Sequence, residues 1–544
     1  MAPRLGPRTR ALIVDSHVTT RSILVSHLRT LGVEQVALCM RTQEALRKIQ
    51  DGDFDLLLCE HRLADGTLGK DLIEELRRTR LLSLRTVVIL ISADASYDTV
   101  AEAAESAVDG FLIRPYTPGS LEDRLTAAFR RKEALSPVFD AIAAGQHAQG
   151  LQLCEKLYSR RATHWTCAAR LGAELALRLD RASLASELFA SVLAVKAVPW
   201  AKLGIARTLV ASSQAQAAAS TIETLLAAEP RYVDAYDVMG RLHAEQGNLP
   251  AALKAYEQAS RITPASVQRA QRYGIVAYYA GEPEVARAAL ERAARLGGGS
   301  RHVDAQTLLL LALLHHRERQ ADGIVACRLQ VEEQLRSGAG SGVPAQPAPE
   351  RVRLQRVASI ILALDATLRQ ATSEAAERTA ALAAQAMQPD FDIEAATNLL
   401  SLLAALHGSA VDGSQAAFRV RQLGLRFCIS RQATDVLVQA AQAHAPYAEL
   451  LRQAHAEIGE RAQAALGQVL TGQPQAAVQQ LLAEAVTTRN VKLLKDAKAT
   501  LERYREHIAD AHVLQRRCET LQALWDGTRK QEDAAPGEPP VDVA

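Results

Sequence analysis

Gly240 and Gly247 recur as Gly274 and Gly281, in each case 34 residues later. The first copy also carries Tyr236, Met239, His243, Ala252, Tyr256, Ala259 and Pro264, and the second carries Tyr273, Ala277, Ala286, Leu290 and Ala293. Steps of three and four predict helices, and the second glycine of each copy predicts a turn between two of them. A helix pair of this size cannot bury its apolar face alone, so neighbouring pairs must stack. An earlier copy begins at Trp200, Leu203 and Gly204 and ends at Pro230; a looser one surrounds Leu171, Gly172 and Leu175, with Phe189 and Ala190. Small residues let the paired helices approach, and large ones fill the space they leave. Alanine shows how far this regime extends. Of 100 alanines, 13 lie in the first 130 residues and 87 in the remaining 414, so their density doubles there. Alanine favours helix and is depleted in strands, so the chain changes from a mixed domain to an all-α region near residue 130.

The first 130 residues alternate between two patterns. Short apolar runs at 10–15, 36–39, 56–60, 86–92 and 110–113 read as strands. Helical spacing follows them at 18–31, 42–50, 70–80, 97–108 and 121–131. Strands that are apolar almost throughout, each followed by a helix, predict a parallel sheet buried on both faces, with its crevice outside the carboxyl ends of the strands. Those ends carry Asp15-Ser16, Glu60, Ser92 and Arg114-Pro115. Acids, a hydroxyl and a cation at one edge suit a divalent metal and phosphate oxygens.

The segments LIVDSHVTTRSIL, FDLLLCEHRLADGTLGKDLIEELR, VVILISA and DGFLIRPYTPGSL resemble the receiver domain of two-component response regulators over roughly residues 10–131. The resemblance implies a flavodoxin-like, doubly wound five-stranded parallel sheet. It keeps Asp15, Ser92 and Pro115, and sets Phe111 at the family's aromatic switch position. It departs in three places. Ser16 replaces the second acid, Glu60 the phosphoacceptor Asp, and Arg114 the Lys. Without an acid at 16 the metal loses a hard ligand, so Mg²⁺ on Asp15 and Glu60 is expected to be weak or absent, with no other cofactor. Glu60 carries its carboxylate one methylene further out, a displacement of about 1 Å that is enough to cost positioned phosphoryl transfer roughly 10²-fold. Arg114 offers a planar fork that suits a bidentate pair with Glu60. The same residues admit a carboxylate that imitates the phosphorylated state, a decayed pocket whose sheet serves for docking, or residual phosphorylation. His61 reads as an exposed neighbour of the crevice.

The pattern at 236–264 resembles tetratricopeptide repeats, which implies a solenoid whose first helices line a groove for protein. Carried onto this chain, the groove holds Asp234, Asp237, Arg241, Gln268, Gln271 and Tyr278. The organisation expected is a disordered 1–9, a receiver-like domain at 10–132, repeats at 133–336, a Gly/Ser/Pro-rich linker or long loop at 337–350, further helical repeats at 351–526 and a disordered tail at 527–544. The second helical stretch includes a repeat-like hairpin near 462–483. It ends in a long helix over 489–526, read as a cap on the solenoid or, alternatively, a dimer seam.

Seven cysteines, none in a CxxC pair, read as reduced buried thiols. No apolar run approaches the length of a membrane span. A net charge of +2 and the lack of a helix-turn-helix pattern argue against nucleic acid as a partner. No protease, esterase or P-loop motif is present. The expectation is a cytoplasmic, bacterial, non-enzymatic signalling adaptor, with a protein partner such as a histidine kinase or another regulator, no membrane and an open oligomeric state. The alternative is a phosphorylation-competent regulator with the same protein-binding output.

Overall fold

A computed structural model describes residues 5–64, 68–94, 108–298, 303–336 and 348–526. The helix expected at 97–108, the linker through 347 and the terminal tail lie outside the described residues, apart from Val108 and the segment from 348 onward.

Five strands form one sheet: β1 (Arg10–Val14), β2 (Gln35–Cys39), β3 (Leu56–Glu60), β4 (Val87–Ser92) and β5 (Gly110–Ile113). Their order is β2-β1-β3-β4-β5, and every pairing is parallel. Strands β3 and β4 are buried at every residue, which is why their sequences show no polar alternation. Alternate residues feed two cores. Leu12, Leu57, Cys59, Val88 and Leu90 face helices α2 (Thr42–Gln50) and α3 (Gly69–Arg78), through Ile49, Leu72, Ile73 and Leu76. Ile13, Leu56, Leu58, Ile89 and Ile91 face α1 (Val18–Thr30) and α4 (Pro118–Ala143), through Leu24, Leu28, Leu121 and Leu125. Each fully buried Leu or Ile contributes roughly 1.5–3 kcal/mol, so this alternation fixes the register that sets the strand ends.

Helix α4 does not stop at the domain edge expected near 132. It runs unbroken to Ala143, because its apolar spacing continues through Leu135, Val138 and Phe139, which belong to the core of the helices that follow. Those helices pair as Trp165–Arg178 with Ala182–Leu193, Pro199–Ala211 with Ala215–Ala228, and Val233–Glu245 with Leu249–Ile262. The repeat glycines mark close approach. A Cβ on Gly204 would lie 2.5 Å from the Phe189 ring, and one on Gly240 would lie 2.8 Å from the Tyr256 ring.

Two compact units are distinguished, the first extending to Arg269 and the second beginning at Ala270. In the second unit the pairing continues, with Gly274 against Leu290. The hairpin expected near 462–483 is formed by Ala445–Leu470 and Pro474–Thr488, joined at Gly472 with φ of 78°. The long helix expected over 489–526 is two helices, Val491–Arg503 and Ala511–Asp526, with a short 3₁₀ turn at Arg505–His507. A straight helix would extend roughly 57 Å and leave half its seam bare. The turn instead brings Ile508, Leu514 and Cys518 onto Leu493, Leu494 and Ala497 in one core. All seven cysteines are free, and six are buried. No helix among the described residues is long and apolar enough to cross a membrane.

Candidate functional site at the strand ends

Parallel register builds the site. Val14 pairs with Cys59, Glu60 with Ile91, and Ser92 with Ile113. The residues at or just past these pairs therefore emerge at one edge, where the strand order reverses between β1 and β3. Asp15 is buried there, 1% exposed, and Glu60 is 8% exposed.

Glu60 is held on both oxygens. Its Oε2 accepts from the Ser16 backbone N–H at 3.0 Å and from Ser16 Oγ at 2.5 Å. Its Oε1 lies 3.4 Å from Arg114 Nη1 and 3.2 Å from His17 Nδ1. Burial alone would raise the Glu60 pKa. The two Ser16 hydrogen bonds, then Arg114 and His17, outweigh it and hold the group below its ordinary value. Asp15 moves the other way. Burial raises it and the Glu60 charge adds to the rise, against the hydrogen bond from the His17 N–H and the attraction of Arg114.

The guanidinium does not make the bidentate pair with Glu60 that its shape suggested. Its fork is divided, with Nη2 at 2.5 Å from Asp15 Oδ2 and Nη1 at 3.4 Å from Glu60. Two carboxylates on neighbouring strands repel, and a cation placed between them satisfies both. The Arg114–Pro115 peptide is cis, and the Arg114 N–H donates to the Ser92 carbonyl at 2.8 Å. Ser92 is buried, and its hydroxyl accepts from the Asp94 N–H at 3.0 Å. Phe111 is half-buried against the α2/α3-side core. His61 is buried rather than exposed, because its backbone continues the β3–β4 ladder, its N–H donating to the Ile91 carbonyl at 2.7 Å.

Asp15, His17 and Glu60 place ligand atoms within 4.8 Å of one another. The set does not fit Mg²⁺. A hydroxyl stands at position 16, the third ligand is an imidazole, and Arg114 and Ser16 already occupy the carboxylate oxygens a hard cation would need. Sequence reasoning passed over His17, whose signal was only its place two residues beyond Asp15.

The residues assigned to the groove are placed as follows. Asp234 and Asp237 converge on Arg269, at 3.1 and 2.9 Å, and Arg269 also donates to Thr263 Oγ1 at 2.8 Å. Burial raises the Asp234 pKa despite that cation. Arg241 is exposed and lies 3.7 Å from Glu245. Gln268 donates through Nε2 to Glu74 Oε1 at 2.7 Å. In the second unit Gln271 is buried, accepting from the Asp304 N–H and Thr307 Oγ1 at 2.5 and 2.9 Å. Tyr278 stands edge-on to Tyr279, its hydroxyl pushed up to about 12 by burial. Arg269, the cation that organises the two aspartates, falls outside the periodic positions from which the groove was read.

Residues 11–126 match the response regulator receiver domain, and residues 203–267 and 274–327 match the tetratricopeptide repeat. Chemotaxis protein CheY-3 of Vibrio cholerae is 31% identical over 127 residues, which is 23% of this chain and 96% of that protein. Chemotaxis protein CheY of Pseudomonas aeruginosa is 31% identical over 122 residues, 22% of this chain and 97% of its own. The C-terminal part of a TPR repeat-containing protein from Cytophaga hutchinsonii aligns with 49% of this chain and 99% of its own, at 15% identity and a TM-score of 0.34. The parallel sheet, the register that gathers Asp15, Glu60, Ser92 and Arg114, the two family matches and the identity to the chemotaxis proteins show that the chain belongs to the response regulator receiver family and carries tetratricopeptide repeats behind its receiver.

Proposed function

We propose that this protein is a non-enzymatic adaptor of a two-component pathway, working in the cytoplasm through a pseudo-receiver. The observation that supports this most is the state of Glu60. It stands at the phosphoacceptor position with one oxygen on Ser16 and the other facing Arg114 and His17. A carboxylate so engaged is a fixed anion at neutral pH, held in one position by Ser16 on one oxygen and by Arg114 and His17 on the other. The receiver then presents one constant surface, and the repeats carry the message by binding a protein such as a histidine kinase or another regulator. In the first unit the groove residues Asp234, Asp237, Arg241 and Gln268 belong to that binding face.

The test is exposure of the whole protein to acetyl phosphate with Mg²⁺, read by intact mass. The wild type is expected to gain no phosphoryl group, and the set of proteins it captures is expected to stay the same. The double variant Ser16→Asp, Glu60→Asp restores the acid pair and is expected to take up phosphate. Stoichiometric uptake by the wild-type receiver would show that it is a working regulator instead.

A further inference from the structure

The second unit holds a cavity of about 310 Å³ between three helices, Pro283–Gly297, Ala305–Arg317 and Ala321–Arg336. The first and last of these are the second helices of successive pairs. Small side chains leave the space. Ala294, Ala326 and Cys327 stand where larger residues would close it, and Leu311 adds to the apolar lining. The His315 ring lies against Gly323, where an added Cβ would come within 2.5 Å of it, so glycine is what admits the imidazole to the wall. At a water's share of roughly 30 Å³, the volume suits a ligand of about ten non-hydrogen atoms.

Two acceptors on this cavity lack a donor. His315 is 6% exposed. Gln320 donates through Nε2 to Glu318 Oε2 at 2.8 Å, so its Oε1 faces His315 Nδ1 at 2.7 Å and accepts from it. The neutral imidazole therefore carries its proton on Nδ1, and Nε2 keeps a lone pair that no group among the described residues uses. Gln330 Oε1 is buried and has no hydrogen-bond partner among the described residues. A buried acceptor left bare is destabilising, so its place on a cavity wall points to a donor that comes from outside. Charge favours the same kind of ligand. Burial first, and then the charge of Glu291, push the Cys327 thiol up to about 12, so the negative field of Glu291 reaches the cavity lining. Arg287 lies 3.5 Å from one Glu291 oxygen, and Arg295, which also lines the cavity, is exposed and screened by water.

We propose that this cavity binds a small amine with an apolar body, of the aryl-alkyl class. The apolar part fills the space beside Leu311 and Cys327, and the ammonium donates to His315 Nε2 and Gln330 Oε1 within the field of Glu291. An anion of the same size has no hydrogen to give and meets Glu291 as a like charge. A hydrocarbon of the same size leaves both acceptors bare. The bound molecule touches three helices of two successive pairs at once, so binding stabilises the second unit by mass action. The proposal depends neither on the phosphoacceptor position nor on the groove that serves a protein partner.

The test uses the whole chain, with ligand-observed saturation-transfer NMR for binding, thermal unfolding for stability and circular dichroism to establish that each variant is folded. The probes are phenethylamine, phenylacetate and ethylbenzene, which share a ring and differ in the group it carries. Phenethylamine is expected to bind saturably and to raise the unfolding temperature, and the other two to bind at least about tenfold more weakly. Ala326→Trp, at an exposed position on the cavity, fills the space and is expected to abolish phenethylamine binding. Gln330→Leu removes the bare acceptor at similar volume. It is expected to be at least as stable as the wild type and to bind phenethylamine at least about tenfold more weakly, without weakening ethylbenzene. A wild type with no saturable phenethylamine binding would overturn the proposal, as would undiminished binding in Ala326→Trp or in Gln330→Leu. Phenylacetate or ethylbenzene bound as tightly as phenethylamine would overturn the amine class. If Ala326→Trp does not fold, Gln330→Leu and the three probes carry the test.

Discussion

At the scale of single residues, two cations, Arg114 half-buried and Lys132 buried, set the charge balance of the receiver. In the pocket, Arg114 answers both Asp15 and Glu60, so neither carboxylate has to be neutralised to stay buried. At the base of the domain Lys132, 5% exposed, donates to the Leu84 carbonyl at 2.8 Å and lies 3.3 Å from Asp109 and 5.0 Å from the Phe139 ring. Burial holds its pKa down to about 8, although Asp109 pulls the other way. Between pH 8 and the ordinary lysine value of about 10.4, the unfolded chain holds a proton that the folded chain has released, so stability rises with pH across that window. Urea unfolding of wild type and Lys132→Met should show the wild type gaining on the variant from pH 8 to pH 10; a constant difference would mean that Lys132 titrates normally. The pocket residues were legible in the sequence because the strand pattern fixes where each strand ends. The division of the Arg114 fork was not legible. It depends on the gap between two carboxylates on neighbouring strands, which only the folded register sets.

At the scale of elements, the glycines explain the repeat spacing. Gly204 meets Phe189, which is fully buried and stands edge-on to Trp200 with ring centroids 6.2 Å apart. Gly204→Ala must push that ring aside, at a cost of about 1–3 kcal/mol, against a helix gain of about 1 kcal/mol. A net loss of up to roughly 2 kcal/mol is expected in thermal or urea unfolding. Gly467 also lies within a helix, but an added Cβ would meet nothing within 4 Å. Gly467→Ala should therefore stabilise by roughly 0.5–1 kcal/mol, and equal effects at the two sites would contradict the packing account. The helix pairs around 236–264 could be read because glycine and aromatic residues recur at fixed offsets. The break at 504–508 could not, since Leu501, Tyr504 and Ile508 keep the same step of three and four that a straight helix would show. Only the need to bury both halves of the seam decides against it. Arg269 was missed for a related reason: its partners Asp234 and Asp237 lie on the preceding first helix, and no period within one helix reports a contact across two.

At the scale of the whole molecule, the first unit joins two domains through one helix, with Leu121 and Leu125 in the receiver core and Leu135, Val138 and Phe139 in the repeat core. One alanine inserted between Glu133 and Ala134 would turn everything beyond it by 100° and advance it by about 1.5 Å. The repeat core gives up Leu84 and both cores otherwise keep their own side chains, so both domains should fold, but Asp140 leaves Arg85 and Gln268 leaves Glu74. Small-angle scattering is expected to show a larger particle, and an unchanged profile would mean that the helix does not set the arrangement. The angular phase of α4 is thus itself inherited information. A shuffling event that spliced this receiver onto another repeat array would preserve both folds and still scramble their alignment, unless the crossover respected the helical pitch.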